Sequence, residues 1–265
     1  MTYAVGITVV QALWIGRLAL HGSAVLYASF AALVLAEMAV PWLAEQRGGA
    51  TPFHPHHIAE RYSLFTIIVL GEVILASVQA VQGVLAKPVE SGSAAGHGVA
   101  PAAGGGGTGL TPGLALLALG GLLIVFSLWW LYFKRDHVDL IGHGRTMTWV
   151  FSYSHVLVFA AVAAVGAALA AAVDVVEHQS AVSSRSIAFA LAVPVALYSV
   201  VLGLLHGVAD RSARTAVPAL TLAVVVLVVA ALGLDMPLAV FLVGVAMAGA
   251  VAQHVVAAQR QLARG

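Results

Sequence analysis

The residues of this sequence best suited to chemistry form an ionisable cluster that runs into an apolar segment. His57, Glu60 and Arg61 precede Leu64-Phe65-Thr66-Ile67-Ile68-Val69-Leu70-Gly71, and Glu72 follows directly inside that apolar run. At about 100° per residue on a helix, His57, Glu60, Arg61, Glu72, Gln79 and Gln82 all fall within about 60° either side of His57. They make one polar stripe. Arg61 lies roughly 16 Å along the axis from Glu72, too far for an ion pair within the same helix. An unpaired charge at the centre of a bilayer costs roughly 2.5 kcal/mol or more on insertion scales, so the stripe must face protein or water.

Glu72 therefore needs a partner from another segment, and Glu37 and His155 are the candidates. Each sits about two to three turns inside its own apolar run, at a depth similar to that of Glu72, and Gln11, Tyr153 and Ser154 are positioned to join them. Two carboxylates and an imidazole at one depth suit proton or cation handling. Desolvation raises carboxylate pKa values, while an imidazole titrates near neutrality. The alternative is that Glu72, protonated or bonded to His155, serves only to fix helix packing. The sequence leaves both open.

Two further groups carry weaker signals. His54-Pro55-His56-His57 with Glu60 places two potential ligands three residues apart at a helix start, but no third ligand is fixed, and solvated histidines are the simpler reading. No metal site or other cofactor is assigned. Leu128-Trp129-Trp130-Leu131-Tyr132-Phe133-Lys134-Arg135 has aromatics followed by cations, the pattern of an interfacial belt at the end of a membrane span. Asp136, His137, Asp139 and His143 follow as a polar loop without catalytic spacing. A Gly-x-Ser-x-Gly elbow, a His-Glu-x-x-His motif and a phosphate-cradling glycine loop are all missing, so an enzyme is not expected.

The elements that must position these residues follow from composition. Of 265 residues, 61% are hydrophobic and 9% are charged, against the roughly 25% charged residues of a soluble domain. An ordinary water-facing surface cannot be built from this chain. Long unbroken apolar runs favour helices over the short alternating segments of a membrane barrel, because lipid forces each backbone group to pair within its own segment. The expected fold class is all-α, a polytopic transmembrane helical bundle forming one domain over residues 1–265. Hydropathy places about eight spans, near 2–20, 23–44, 61–86, 112–133, 146–173, 186–208, 215–233 and 236–258. With no cysteine there is no disulfide or thiolate site, and a net charge of +1 offers no basic stripe for nucleic acid.

Residues 87–111 hold Ser91-Gly92-Ser93 and Gly104-Gly105-Gly106-Gly107, which bury too little to offset ordering entropy, and are expected to form a flexible outer loop. Arg47, Arg61, Lys134, Arg135, Arg145, Arg211, Arg214, Arg260 and Arg264 fall on one side of the expected topology. Arg17, Lys87 and Arg185 fall on the other. The positive-inside rule then puts both termini in the cytoplasm. Spans five to eight are rich in Ala, Val and Gly, which read as close packing rather than a site.

The blocks His57-x-x-Glu60-Arg61, Leu64 to Glu72, Leu128 to Phe133 and Tyr153-Ser154-His155 together resemble, in order and spacing, the signature of bacterial low-temperature-requirement A (LtrA) proteins. The resemblance covers about residues 57–155, with the other helices similar only in hydropathy. It implies a multi-pass protein of the bacterial inner membrane, with no established molecular activity and a link by name to growth in the cold. It adds weight to Glu60, Arg61, Glu72, Trp130, Tyr132 and His155 without giving any of them a role. Family members begin with additional spans carrying an acidic Glu-Leu-Phe-Phe-Asp-Leu-Val-Phe-type block. Nothing similar occurs here, so the sequence reads as lacking those spans, and such a block would be the lost partner of Arg61 or Arg17.

The expected function is transport or proton and ion handling along the stripe centred on Glu72. His155 and Glu37 would be its neighbours, His57, Glu60 and Arg61 its mouth, and Trp130, Tyr132, Tyr153 and Gln79 supporting residues. The expected partners are the lipid bilayer, a small solute or ion, and a second copy of the chain if it oligomerises. The rival reading is a non-transporting structural or sensory membrane protein of cold adaptation.

Overall fold

The structure is a computed structural model and describes residues 2–48, 54–85, 111–142, 144–177, 180–210, 212 and 216–263. These residues form helices α1 (Thr2–Arg17), α2 (Ser23–Gly48), α3 (Pro55–Leu85), α4 (Pro112–Phe133), α5 (Val138–Gly142), α6 (Arg145–Val176), α7 (Ser184–Ala209), α8 (Val217–Ala231) and α9 (Met236–Leu262), with no strand among them. The chain is an all-α polytopic helical membrane protein. Every expected apolar segment is a helix, but six are long and apolar enough to cross a bilayer: α2, α3, α4, α6, α7 and α9. The other two expected segments, α1 and α8, are shorter helices. With 16 residues in α1 and 15 in α8, these helices reach only about 22–24 Å at 1.5 Å per residue, short of a hydrocarbon core of about 30 Å. The short helix α5 was not expected. The proposed outer loop lies outside the described residues except for Thr111, which caps α4 by accepting a hydrogen bond from the Leu114 N–H, with Pro112 opening the helix.

The chain divides into two compact units, Met1–His54 and Pro55–Gly265. In the first, α1 and α2 form a helical pair joined by a turn at Gly22, whose φ of 94° suits a residue without a Cβ. Val40 packs so closely on Gly6 that an added Cβ would come within 2.8 Å of it. The Arg17 guanidinium donates to Ser29 Oγ at 3.2 Å and to the Leu26 carbonyl at 2.8 Å, and lies over the Trp14 and Phe30 rings. Arg17 is thus engaged within its own unit.

In the second unit the long helices alternate in direction. One end therefore collects the starts of α3 and α6 with the ends of α4, α7 and α9. Tyr62 of α3 lies 4.7 Å, ring to ring, from His155 of α6, and Val73 packs on Gly166, eleven residues further along both helices. Those two contacts set α3 and α6 parallel and in register. Helices α4 and α9 are parallel as well and approach most closely at Gly120. A Cβ there would lie 2.6 Å from the Phe241 Cα, and one on Gly244 would lie 2.6 Å from the Gly120 carbonyl oxygen. Small residues permit this approach where no hydrophobic force drives helices together in lipid. Gly203 makes a similar seat for Ala219 between α7 and α8, so Gly203 and Gly244 serve packing within the chain.

Candidate functional site

The expected site residues are described in three places, one within the first unit and two within the second. Glu37, on α2, is exposed and accepts hydrogen bonds from Gln11 Nε2 and Trp14 Nε1 of α1, both at 3.1 Å. Gln11 was expected among the polar neighbours, and its partner is Glu37. A carboxylate held by two donors across a helical pair reads as an interhelical tie.

Glu72 lies near the middle of the 31-residue α3. The face of α3 that packs into the second unit carries Ala59, Thr66, Leu70 and Val73, each no more than 6% exposed. By helical geometry that face is opposite the stripe. His57, Glu60, Arg61 and Glu72 are all exposed, as the shared azimuth requires. His57 Nδ1 and Glu60 stand 4.0 Å apart in the open at the start of the helix, where a carboxylate also favours the dipole. Among the described residues Glu72 makes no hydrogen bond or ion pair. The stripe is not continuous. Leu64 and Ile68 share its azimuth, are more than half exposed and lie between Arg61 and Glu72, so apolar side chains separate the two. Gln82 borders an apolar groove of about 290 Å³ with Ile74, Ser77, Leu117 and Leu169, while the Gln79 side chain lies outside what the structure describes.

His155 is not beside Glu72. It pairs in register with Tyr62, and Glu72 is ten residues further along the parallel α3, which is about 15 Å of axial rise. The assumption that failed was that distance from the nearest charged residue measures depth. Helix α3 begins at Pro55, not near Arg61, so Glu72 sits a turn or more further in than expected.

The third place is a buried aromatic and histidine cluster at the shared end of the second unit. His155 and Tyr132 are both fully buried, with the Tyr132 hydroxyl 2.9 Å from His155 Nε2 and His155 Nδ1 2.7 Å from the Phe151 carbonyl. A carbonyl can only accept, so Nδ1 carries the proton, Nε2 accepts, and the Tyr132 O–H donates. This fixes a neutral tautomer. Rings of Tyr62, Phe151 and Phe159 surround the imidazole at 4.7, 4.0 and 5.6 Å. His137 follows at 6.1 Å from His155 and His206 at 6.4 Å from His137. Both are buried, and among the described residues the Nε2 of each has no hydrogen-bond partner. Burial lowers the pKa of His137, with Asp136 opposing, and holds it neutral at neutral pH.

Beyond His206 the cluster opens into a groove of about 720 Å³ lined by Trp129, Trp130, Lys134, Arg135, Asp210 and His254, among others. Lys134 Nζ donates to His254 Nε2 at 3.0 Å, and Arg135 pairs with Asp210 at 2.7 Å. Burial, reinforced by the adjacent Arg135 charge, pushes the Lys134 pKa down to about 8 against a smaller opposing effect of Asp210. Trp130 packs near His254, with ring centres 6.3 Å apart, and Tyr153 stacks on Trp149. His206 and His254 were missed in the sequence, and Lys134 was read only as part of the aromatic belt. The available signal was that each sits where an apolar run ends on the side rich in positive charge. Among the described residues, no group of three or more His, Asp or Glu side chains is arranged to hold a metal ion.

No curated protein and no solved structure matches the chain. The family model described as bacterial low temperature requirement A protein (LtrA) matches residues 1–256, taking in α1, α2 and most of α9 as well as the central blocks. The order of the polar blocks on α3, α4 and α6 and this match over nearly the whole length lead to one conclusion: the chain belongs to the bacterial LtrA family.

Proposed function

We propose that this LtrA protein transports or exchanges a proton or small ion, with Glu72 as the titrating group. The observation that carries the reading is the place of Glu72, an exposed carboxylate near the middle of an apolar helix, on the face opposite that helix's packing surface. A carboxylate kept for packing belongs among the buried residues of α3, with donors around it. One kept for proton or ion exchange must reach water or a moving partner, and its cost in lipid selects against it otherwise. Glu60, Arg61 and His57 at the start of α3 would form the mouth on the side expected to be cytoplasmic. The test is flux in proteoliposomes. Wild-type protein should dissipate an imposed pH or cation gradient faster than protein-free liposomes, and Glu72→Gln should not. Equal rates for wild type and Glu72→Gln would end the proposal.

A second reading rests on His155. Its two nitrogens are both bonded and its faces are filled by rings, which suits a polar lock within a non-transporting structural or sensory membrane protein. On that reading substitutions at Tyr132 and His155 lower stability, and no gradient is dissipated by any form of the protein.

A further inference from the structure

The groove at the shared end of α4, α7 and α9 is a built site that the Glu72 reading does not use. Its polar wall consists of Lys134, Arg135, His206, Asp210, His254 and Gln259, and its apolar wall includes Trp129 and Trp130. Asp210 is neutralised by Arg135 at 2.7 Å, which leaves Lys134 as the uncompensated charge of this wall among the described residues. One Lys134 proton is used on His254 Nε2, so two donors remain on the ammonium, and the other nitrogen of His254 carries a proton in the neutral ring. His206 supplies the second, independent observation. It is 7% exposed, it lines the groove, and among the described residues its Nε2 has no partner. A small cavity of about 30 Å³, enough for one water-sized group, continues from the groove between Lys134, His206 and His254.

We propose that this groove binds a phosphate group, carried by an anionic phospholipid headgroup or by a free phosphate compound. The charge is positive and sits where charge-assisted donors converge, and the partly buried cation gains most from an anion. The tryptophans and the residues Val255, Ala257 and Ala258 of α9 offer an apolar flank suited to the glycerol and upper acyl region of a lipid or to an organic substituent. Five ionisable groups line the groove: Lys134 and Arg135 after α4, His206 and Asp210 at the end of α7, and His254 from α9. His137 stands behind His206.

Two probes separate the sources. Purified protein in a neutral detergent is titrated calorimetrically with inorganic phosphate. In parallel, native mass spectrometry counts phosphatidylglycerol retained from nanodiscs of phosphatidylcholine and phosphatidylglycerol. Saturable phosphate heat identifies a free phosphate compound, and retained phosphatidylglycerol without phosphate heat identifies a headgroup. In either case Lys134→Gln should weaken binding about tenfold, and Lys134→Arg should restore most of it. Wild type alone can overturn the proposal, through neither phosphate heat nor preference for phosphatidylglycerol. Binding that is unchanged in both Lys134→Gln and His254→Asn would overturn it too.

Discussion

The Tyr132–His155 pair gives the sharpest energetic prediction. Replacing Tyr132 with Phe removes one oxygen from a fully buried site and changes little else in shape. His155 Nδ1 stays committed to the Phe151 carbonyl at 2.7 Å, so Nε2 loses its donor inside a fully buried site. Leaving a buried acceptor unpaired costs about 1–3 kcal/mol, although interhelical bonds in membrane proteins average nearer 0.6 kcal/mol. The expectation for Tyr132→Phe is a loss of about 1–2 kcal/mol, a fall in Tm of roughly 2–8 °C for a chain of this size. His155→Leu removes the acceptor and strands the hydroxyl instead. The double variant removes both, so it should be less damaged than the sum of the singles, with a coupling of about 1 kcal/mol. The assay is equilibrium unfolding of the four proteins in mixed detergent, or thermal melts followed by circular dichroism. Strict additivity, or a Tyr132→Phe protein as stable as wild type, would refute the assigned tautomer and bond.

Two other outcomes follow from packing and charge. Gly120→Ala should destabilise by about 1–3 kcal/mol, because its Cβ would meet the backbone of Phe241 at 2.6 Å. Gly249→Ala, with nothing within 4 Å, should instead gain roughly 0.5–1 kcal/mol of helix propensity. Melting temperatures of the two variants should therefore move in opposite directions. Lys134, lowered from 10.5 to about 8 in the folded protein, binds its proton less tightly there than in the unfolded chain. Stability should thus rise as pH increases from about 8 towards 10.5, measured as Tm against pH, and Lys134→Gln should flatten that rise. A pH profile of Lys134→Gln identical to wild type would discount the assigned burial of Lys134.

What the sequence reveals here depends on how local the physics is. Helix positions follow from hydropathy and caps, so α4 begins at Pro112 and ends at Phe133 where the apolar run does. The azimuth of Glu72 is likewise local, being fixed by helix geometry alone. The depth of His155 is not local. It depends on α3 and α6 running parallel in register, which no charge count reveals. His206 and His254 each look like an isolated polar residue near a helix end, and become a site only because α4, α7 and α9 finish together. The bounds of α1 differ from the hydropathy reading because the apolar run Leu18-Ala19-Leu20 continues past the end of the helix at Arg17. The resemblance carried by the central blocks extends, through the family match, over α1 and α2 and the later helices.

The central claim is that Glu72 meets water or a moving ion within the bilayer, and the absence of any native cysteine makes it directly accessible to test. Glu72→Cys, Glu60→Cys and Val73→Cys each give a single thiol, to be challenged in intact membranes with a membrane-impermeant maleimide, which requires a hydrated thiolate. Glu60 is exposed at the helix start and Val73 is 2% exposed against Gly166, so they bracket the scale. The account predicts that the Glu72→Cys protein is labelled at a rate close to that of Glu60→Cys. Labelling as slow as that of Val73→Cys would contradict it.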